Sequence, residues 1–164
     1  MNAPNKTRQI ALCSLMTAGS VAVLWAACAA PSGRIGLTAA AGLFPMAAVL
    51  EAGRRAGLLS WGTSSVLGLI LVPDKGLALL YGMFLGLYPV AKSFLERMQT
   101  PLLEWGGKLL FFNAALSVGR LALQLLLFPE LPVFLVYLGG NAAFLAYDFG
   151  LSQLSVRLNA MMRK

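Results

Sequence analysis

The sequence predicts an all-α membrane protein, a compact bundle of six transmembrane helices with both termini in the cytoplasm. The chain is 59% hydrophobic and only 12% charged, with a mean hydropathy of +0.76, whereas a soluble domain carries about 25% charged residues. Apart from Arg120 and Asp148, its charges lie at the ends of apolar runs. We therefore expect the chain to form a single domain, residues 1–164, within or at the bilayer.

Six apolar runs have lengths that suit the hydrocarbon core of a membrane. A helix rises 1.5 Å per residue, so ~20 apolar residues cross a core of ~30 Å. The connections between the runs are short, which leaves little chain for a separate soluble domain. The predicted spans cover about residues 10–30, 35–52, 56–73, 76–95, 108–129 and 131–156.

The positions of the basic residues predict the orientation, because cytoplasmic loops carry an excess of Lys and Arg. With a cytoplasmic N-terminus, the outer side receives only Arg34 and Lys75, and Arg120 falls within a span. The net charge of +7 is then an orientation signal with some attraction to anionic lipid, and it does not indicate a nucleic-acid partner. The cytoplasmic basic residues are Lys6, Arg8, Arg54, Arg55, Lys92, Arg97, Lys108, Arg157, Arg163 and Lys164.

The composition argues against several classes of enzyme. The chain has no histidine, which excludes histidine-based metal sites and Ser/His/Asp catalysis. It contains no Gly-x-x-x-x-Gly-Lys phosphate loop. Of its six carboxylates only Asp148 lies well inside a predicted span. We therefore predict no catalytic residue, no bound metal and no cofactor.

Small residues recur every four positions along the first predicted helix. We call the set Ser14, Ala18, Ala22 and Ala26 the small-residue stripe. Small side chains let a second helix approach closely, and close packing drives helix association in lipid. Two interpretations stay open at this point. The stripe either packs against a neighbouring span of the same bundle or docks a separate membrane protein.

Polar residues share one face on each of the last two predicted helices. The fifth predicted helix ends and the sixth begins at the turn of residues 128–132. Depths counted from this turn at 1.5 Å per residue place Arg120 level with Asn141, and Asn113 level with Asp148. Arg120 would then point towards Asp148. This placement predicts either a structural Arg120–Asp148 ion pair or a polar cavity for a ligand. The faces consist of Asn113, Ser117, Arg120 and Gln124 on the fifth helix, and Tyr137, Asn141, Asp148, Ser152 and Ser155 on the sixth.

The fourth predicted helix adds two tyrosines on one face, Tyr81 and Tyr88. Tyr81 is placed near the outer end, where tyrosine is also common as an interfacial anchor. Tyr88 lies deeper, and a buried phenol normally needs a hydrogen-bond partner. We count both as candidate ligand contacts, and we expect Pro89 to kink this helix.

In these features the chain resembles the substrate-binding S component of energy-coupling factor (ECF) vitamin transporters. The shared features are six short helices with internal termini, alanines along the first helix, and polar residues on helices four to six. The resemblance implies that Ala18, Ala22 and Ala26 dock to a membrane coupling subunit that works with ATPases. It also implies a vitamin-like small molecule held near the outer face. The ligand contacts that it implies are Tyr81, Asn113, Arg120, Gln124 and Asn141.

The sequence therefore predicts a substrate-binding subunit of an uptake transporter in a bacterial inner membrane. The alternative is a non-transporting scaffold or cell-envelope assembly protein, in which the same polar residues only hold the bundle together. A substrate bound after purification, or co-purification with a coupling subunit and ATPases, would distinguish the two functions.

Overall fold

The computed structural model describes residues 6–95, 101–123 and 133–162, which are helical apart from short connections and contain no β-strand. Within these residues, four helical stretches are long and apolar enough to cross a membrane: Lys6–Ala29, Arg34–Ala52, Lys75–Leu95 and Phe134–Leu154. The helices are α1 (Lys6–Ala29), α2 (Arg34–Ala41), α3 (Leu43–Ala52), α4 (Arg54–Leu71), α5 (Lys75–Leu80), a π-helical turn (Tyr81–Leu85), α6 (Leu87–Leu95), α7 (Pro101–Leu123) and α8 (Val133–Met162).

The chain divides into two compact units, Met1–Phe94 and Leu95–Lys164. Unit 1 contains α1 to α5, the π-helical turn and nearly all of α6, and unit 2 contains α7 and α8. The single domain expected from the sequence stays a prediction.

In unit 1, α1 packs against α2, α3 and α4. Hydrogen bonds link α1 to α4 in a parallel register. The Cys13 thiol faces the Ala56 carbonyl at 3.6 Å, and the Thr17 hydroxyl contacts the Ser60 carbonyl at 3.5 Å, both 43 residues apart in the chain. Because this offset is constant, α1 and α4 run in the same direction, and α2–α3 returns the chain between them.

Ion pairs and hydrogen bonds of charged side chains connect α2, α4 and α5 at the end of unit 1 where α1 ends and α5 begins. Arg34 donates to the Asp74 carboxylate at 2.6 Å, and Asp74 also caps α5 by accepting from the Leu77 amide. Lys75 donates to the last carbonyls of α4, at 2.7 Å from Leu69 O and 2.9 Å from Val72 O. A cation at a helix C-terminus is favourable because the terminal carbonyls lack intrahelical donors.

The second predicted span is broken at Gly42, between α2 and α3. A Cβ atom on Gly42 would collide with the backbone oxygen of Leu85 in the π-helical turn. Pro89 follows four residues after Leu85 and has no N–H to donate to it. The two segments approach this closely because position 42 has no side chain.

The stretch Lys75–Leu95 changes its helical geometry at Tyr81–Leu85, ahead of the proline that the sequence singles out. In the π-helical turn the Gly86 amide donates to Tyr81 O at 2.7 Å. Such a turn leaves a carbonyl without its α-helical partner. The indole N–H of Trp61 on α4 donates to Gly82 O at 3.0 Å. Irregularity in this helix therefore begins at Tyr81.

We predict that Gly42→Ala destabilises the protein by about 1–3 kcal/mol, because the added methyl group overpacks the contact with Leu85. Gly36→Ala is the matched control, since it lies in the same helical stretch and a Cβ there meets no atom within 4 Å. Thermal unfolding in mild detergent measures both. Equal stability of the two variants would contradict the close approach at Gly42.

Candidate functional site

The small-residue stripe lies on the outward side of α1. Ser14, Ala18, Ala22 and Ala26 are all exposed. The residues through which α1 packs inside unit 1 are Thr17, Ser20, Leu24 and Ala27, and their mean direction lies about 160° from that of the stripe at 3.6 residues per turn. The stripe therefore takes no part in the packing of α1 onto α2, α3 and α4.

Tyr81 lies at the centre of a buried hydroxyl cluster in unit 1. Its hydroxyl lies 2.7 Å from Ser64 Oγ on α4 and 3.2 Å from Ser20 Oγ on α1. Ser20 also donates to Ala41 O at 3.0 Å, and all three hydroxyl-bearing residues are fully buried. The cluster therefore joins α1, α4 and the π-helical turn through side chains that have no exposed surface.

Tyr88 is also fully buried, and its ring stacks on that of Phe84 with centroids 5.7 Å apart. Both candidate tyrosines thus belong to the interior of unit 1. A ligand would reach either of them only after the surrounding helices move.

In unit 2, Asn113 and Asn141 join α7 to α8 by reciprocal amide hydrogen bonds of 3.2 and 3.3 Å. Each amide nitrogen also donates to a carbonyl one turn earlier in its own helix, Asn113 to Leu109 O and Asn141 to Tyr137 O. One turn further along α7, Ser117 Oγ lies 2.7 Å from Tyr137 Oη. We call the four side chains of Asn113, Ser117, Tyr137 and Asn141 the polar seam. Ser117 is exposed and the other three are partly exposed.

Lys108 is a buried cation placed between two carboxylates. Its Nζ lies 2.7 Å from Glu104 one turn earlier in α7, and 3.5 Å from Asp148 on α8. Lys108 and Asp148 are only 3% and 5% exposed. A charge costs several kcal/mol inside a membrane unless it is paired or hydrated. Lys108 therefore supplies a counter-charge for the intramembrane aspartate that the sequence identifies.

The predicted levels of the two last helices were wrong. Asn141 lies level with Asn113, and Asp148 lies level with Lys108. The prediction measured the depth of each residue from the turn at residues 128–132. The side-chain contacts instead place each α8 residue opposite an α7 residue that lies five to seven positions earlier in the chain than predicted. The stacked rings of Phe112 and Phe144, 4.6 Å apart, lie within this register.

Arg120 lies in α7, twelve residues beyond Lys108 and so ~18 Å along the helix axis. Its side chain and the whole of Gln124 lie outside the described residues. The Arg120–Asp148 pair and the ligand roles of Arg120 and Gln124 therefore stay predictions. The sequence did hold a signal for Lys108, because Glu104 and Lys108 have the i, i+4 spacing of a helical ion pair.

Comparison with protein-family models, with curated proteins and with solved structures gives no match for this chain. Among the described residues, no three His, Cys, Asp or Glu side chains lie together as a metal site would require. In unit 2, the polar seam provides hydrogen-bonding groups and Lys108 provides a buried, ion-paired ammonium group.

We predict that Lys108→Met destabilises the protein more than Asp148→Asn. Removing the cation leaves two carboxylates facing each other, at a cost of about 3–5 kcal/mol for a broken buried pair. Removing Asp148 leaves Lys108 with Glu104, so we expect a loss closer to 1 kcal/mol. Thermal unfolding in mild detergent measures both changes.

Double-mutant cycles separate Lys108 from Arg120 as the partner of Asp148. We expect an interaction energy above 0.5 kcal/mol for Lys108→Met with Asp148→Asn, the range found for residues in contact. The cycle of Arg120→Gln with Asp148→Asn serves as the comparison, and we expect it to be additive. Coupling only in the second cycle would support the Arg120–Asp148 pair instead.

Proposed function

We propose that this protein is the substrate-binding membrane subunit of a small-molecule uptake transporter, of the kind represented by the ECF S components. In this proposal the chain spans a bacterial inner membrane six times, with both termini in the cytoplasm. The polar seam and Arg120 hold a polar, vitamin-like molecule. The small-residue stripe docks to a transmembrane coupling subunit that works with ATPases.

The observation that carries the proposal is the exposure of the small-residue stripe. A stripe that packed within unit 1 would be covered by the other helices of that unit, yet α1 packs there through its opposite side. In lipid, exposed small residues offer a surface that a second helix can approach closely. This supports docking over packing within unit 1 for Ser14, Ala18, Ala22 and Ala26.

The parallel register of α1 and α4 supports the six-span topology. With α1 and α4 running in the same direction, Lys6 and Arg8 lie at the same end of unit 1 as Arg54 and Arg55. Arg34 and Lys75 lie near the opposite end, so the charge asymmetry is that of a positive-inside protein. At 18 and 23 residues, α4 and α7 have lengths of ~27 and ~35 Å, close to the hydrocarbon thickness.

The polar seam supports a ligand site because it offers amide and hydroxyl groups on a partly exposed helix face. These are the groups that orient small ligands in otherwise apolar sites. Asn113 and Asn141 are the pair in the seam that the sequence identified as ligand contacts.

A scaffold or assembly protein is the second candidate function, and a specific observation favours it. The amide groups of Asn113 and Asn141 already bond to each other and to backbone carbonyls, and Tyr81 is closed inside its hydroxyl cluster. Polar groups whose hydrogen bonds are satisfied internally can hold helices together without any ligand.

We predict that Ala22→Trp leaves the isolated protein folded but abolishes its assembly with a coupling subunit, because the indole prevents close helix contact. Val66→Trp on α4 is the matched control, since Val66 is also exposed and lies off the stripe. Co-purification with coupling subunit and ATPases, together with the unfolding temperature of the isolated protein, gives the two readouts. A lower unfolding temperature for Ala22→Trp alone would show that the stripe packs internally, as overpacking destabilises a core.

We predict that replacing both seam amides, Asn113→Leu with Asn141→Leu, preserves stability and weakens binding of the small molecule. Removing both partners of a hydrogen bond can be nearly neutral, whereas Asn141→Leu alone leaves Oδ1 of Asn113 without its inter-helix donor, at a cost of about 1 kcal/mol. Native mass spectrometry of the purified protein first identifies the bound molecule, and titration then measures its affinity. We expect at least the tenfold loss that ~1.4 kcal/mol represents.

A stable double variant that binds the molecule as tightly as the parent would make the seam purely structural. Purified parent protein that carries no small molecule, and that copurifies with envelope proteins in place of ATPases, would favour the scaffold.

A further inference from the structure

A groove of about 860 Å³ runs along α1 and α4 in unit 1, on the side of Lys6 and Arg55. Its volume falls in the range of ~300–1,000 Å³ that is typical of small-molecule sites. The groove is open to the surroundings of the helices, since lining residues such as Ile10, Leu59 and Leu67 are exposed.

The groove changes in character along its length. Lys6, Gln9 and Arg55 line one end, and none of the described lining residues is acidic. Towards the other end, Leu59 and Leu67 form an apolar wall, and the Thr63 hydroxyl lies 2.7 Å from Leu59 O and 2.9 Å from Thr17 Oγ1. One end thus offers cations and an amide, and the other offers apolar surface.

Among the residues that the structure describes, no carboxylate forms an ion pair with Lys6 or Arg55. The described salt bridges join Arg34 to Asp74 and Lys108 to Glu104 and Asp148, and the neighbouring Arg54 lies over the ring of Phe94 at 4.8 Å. Lys6 and Arg55 are both exposed. An anion is therefore complementary to this end of the groove, and an apolar chain is complementary to the rest.

We propose that this groove is a binding site for one anionic phospholipid. The phosphate of the headgroup lies between Lys6 and Arg55, with Gln9 as a hydrogen-bond donor, and an acyl chain follows Ile10, Leu59 and Leu67 along α1 and α4. With a cytoplasmic N-terminus, this lipid belongs to the inner leaflet, where anionic headgroups attract basic residues near the surface.

The site has a consequence for docking at α1. Ser14 and Ala18, the first two residues of the small-residue stripe, also line the groove, while Ala22 and Ala26 lie beyond it. A bound lipid would therefore cover one end of the stripe and leave the other end open. Lipid binding in the groove does not require a partner at the stripe.

The experiment measures lipid retention by the purified full-length protein. The protein is equilibrated in micelles with equal amounts of phosphatidylglycerol and phosphatidylcholine, and native mass spectrometry counts each lipid bound. We expect preferential retention of one phosphatidylglycerol. Lys6→Gln and Arg55→Gln should each lower the retained ratio by about fivefold, since each basic residue near an anionic surface contributes about that factor.

Arg8→Gln is the matched control, because it removes the same charge from the exposed start of α1 but does not line the groove. We expect it to leave the ratio unchanged. An equal loss for Arg8→Gln would overturn the site in favour of diffuse attraction, and so would equal retention of both lipids by the parent protein.

Water-soluble glycerol phosphate distinguishes a lipid from a free phosphate. We expect it not to displace the phosphatidylglycerol, because it lacks the acyl chain that the apolar wall contacts. Displacement would overturn the lipid proposal in favour of a soluble anion. None of these readouts requires a coupling subunit or a transported substrate, so failure here is distinguishable from failure of the proposed transport function.

Discussion

The hydrogen bonds that Tyr81 makes to Ser64 and Ser20 are the interaction on which unit 1 depends. Lipid offers no hydrogen-bond partner to a buried hydroxyl, so bonding to a partner inside the protein is strongly favourable. Tyr81 achieves this by joining α1, α4 and the π-helical turn at one point. The indole of Trp61 then reaches Gly82 O next to this point. Two residues of α4, Ser64 and Trp61, therefore hydrogen-bond to two consecutive residues of the π-helical turn, Tyr81 and Gly82.

The same constraint separates the two faces of α1. Two of its hydroxyls lie on the inner face, where Thr17 bonds to Ser60 O on α4 and Ser20 bonds to Ala41 O. The outward side then carries mainly small residues, Ser14, Ala18, Ala22 and Ala26, which are exposed. The small-residue stripe therefore lies on the outward side of α1, and it shares Ser14 and Ala18 with the groove. The proposed docking and lipid binding thus use overlapping parts of α1.

Unit 2 satisfies its polar groups along a helix pair instead of at one cluster. Asn113 bonds to Asn141, and Lys108 pairs with Asp148 two turns away along α8. Such pairs fix the register of α7 and α8, because a shift would separate the paired amides and leave the buried charges of Lys108 and Asp148 without each other. Holding the pair in register and holding a ligand are different uses of the same amides, and the double replacement at Asn113 and Asn141 separates them.

The sequence by itself determined the helical class and the presence of helices apolar enough to cross a membrane, because hydropathy and residue spacing are local properties. It also identified Asp148 and both asparagines, since polar residues within apolar runs are costly. Only the tertiary structure decided that Lys108 pairs with Asp148, that Asn113 hydrogen-bonds to Asn141, and that the backbone at Gly42 closely approaches Leu85 O. These depend on helix register and on the distance between segments remote in the chain. Neither follows from sequence periodicity, which shows on which face of a helix a residue lies but not the axial register of that helix against a neighbouring helix.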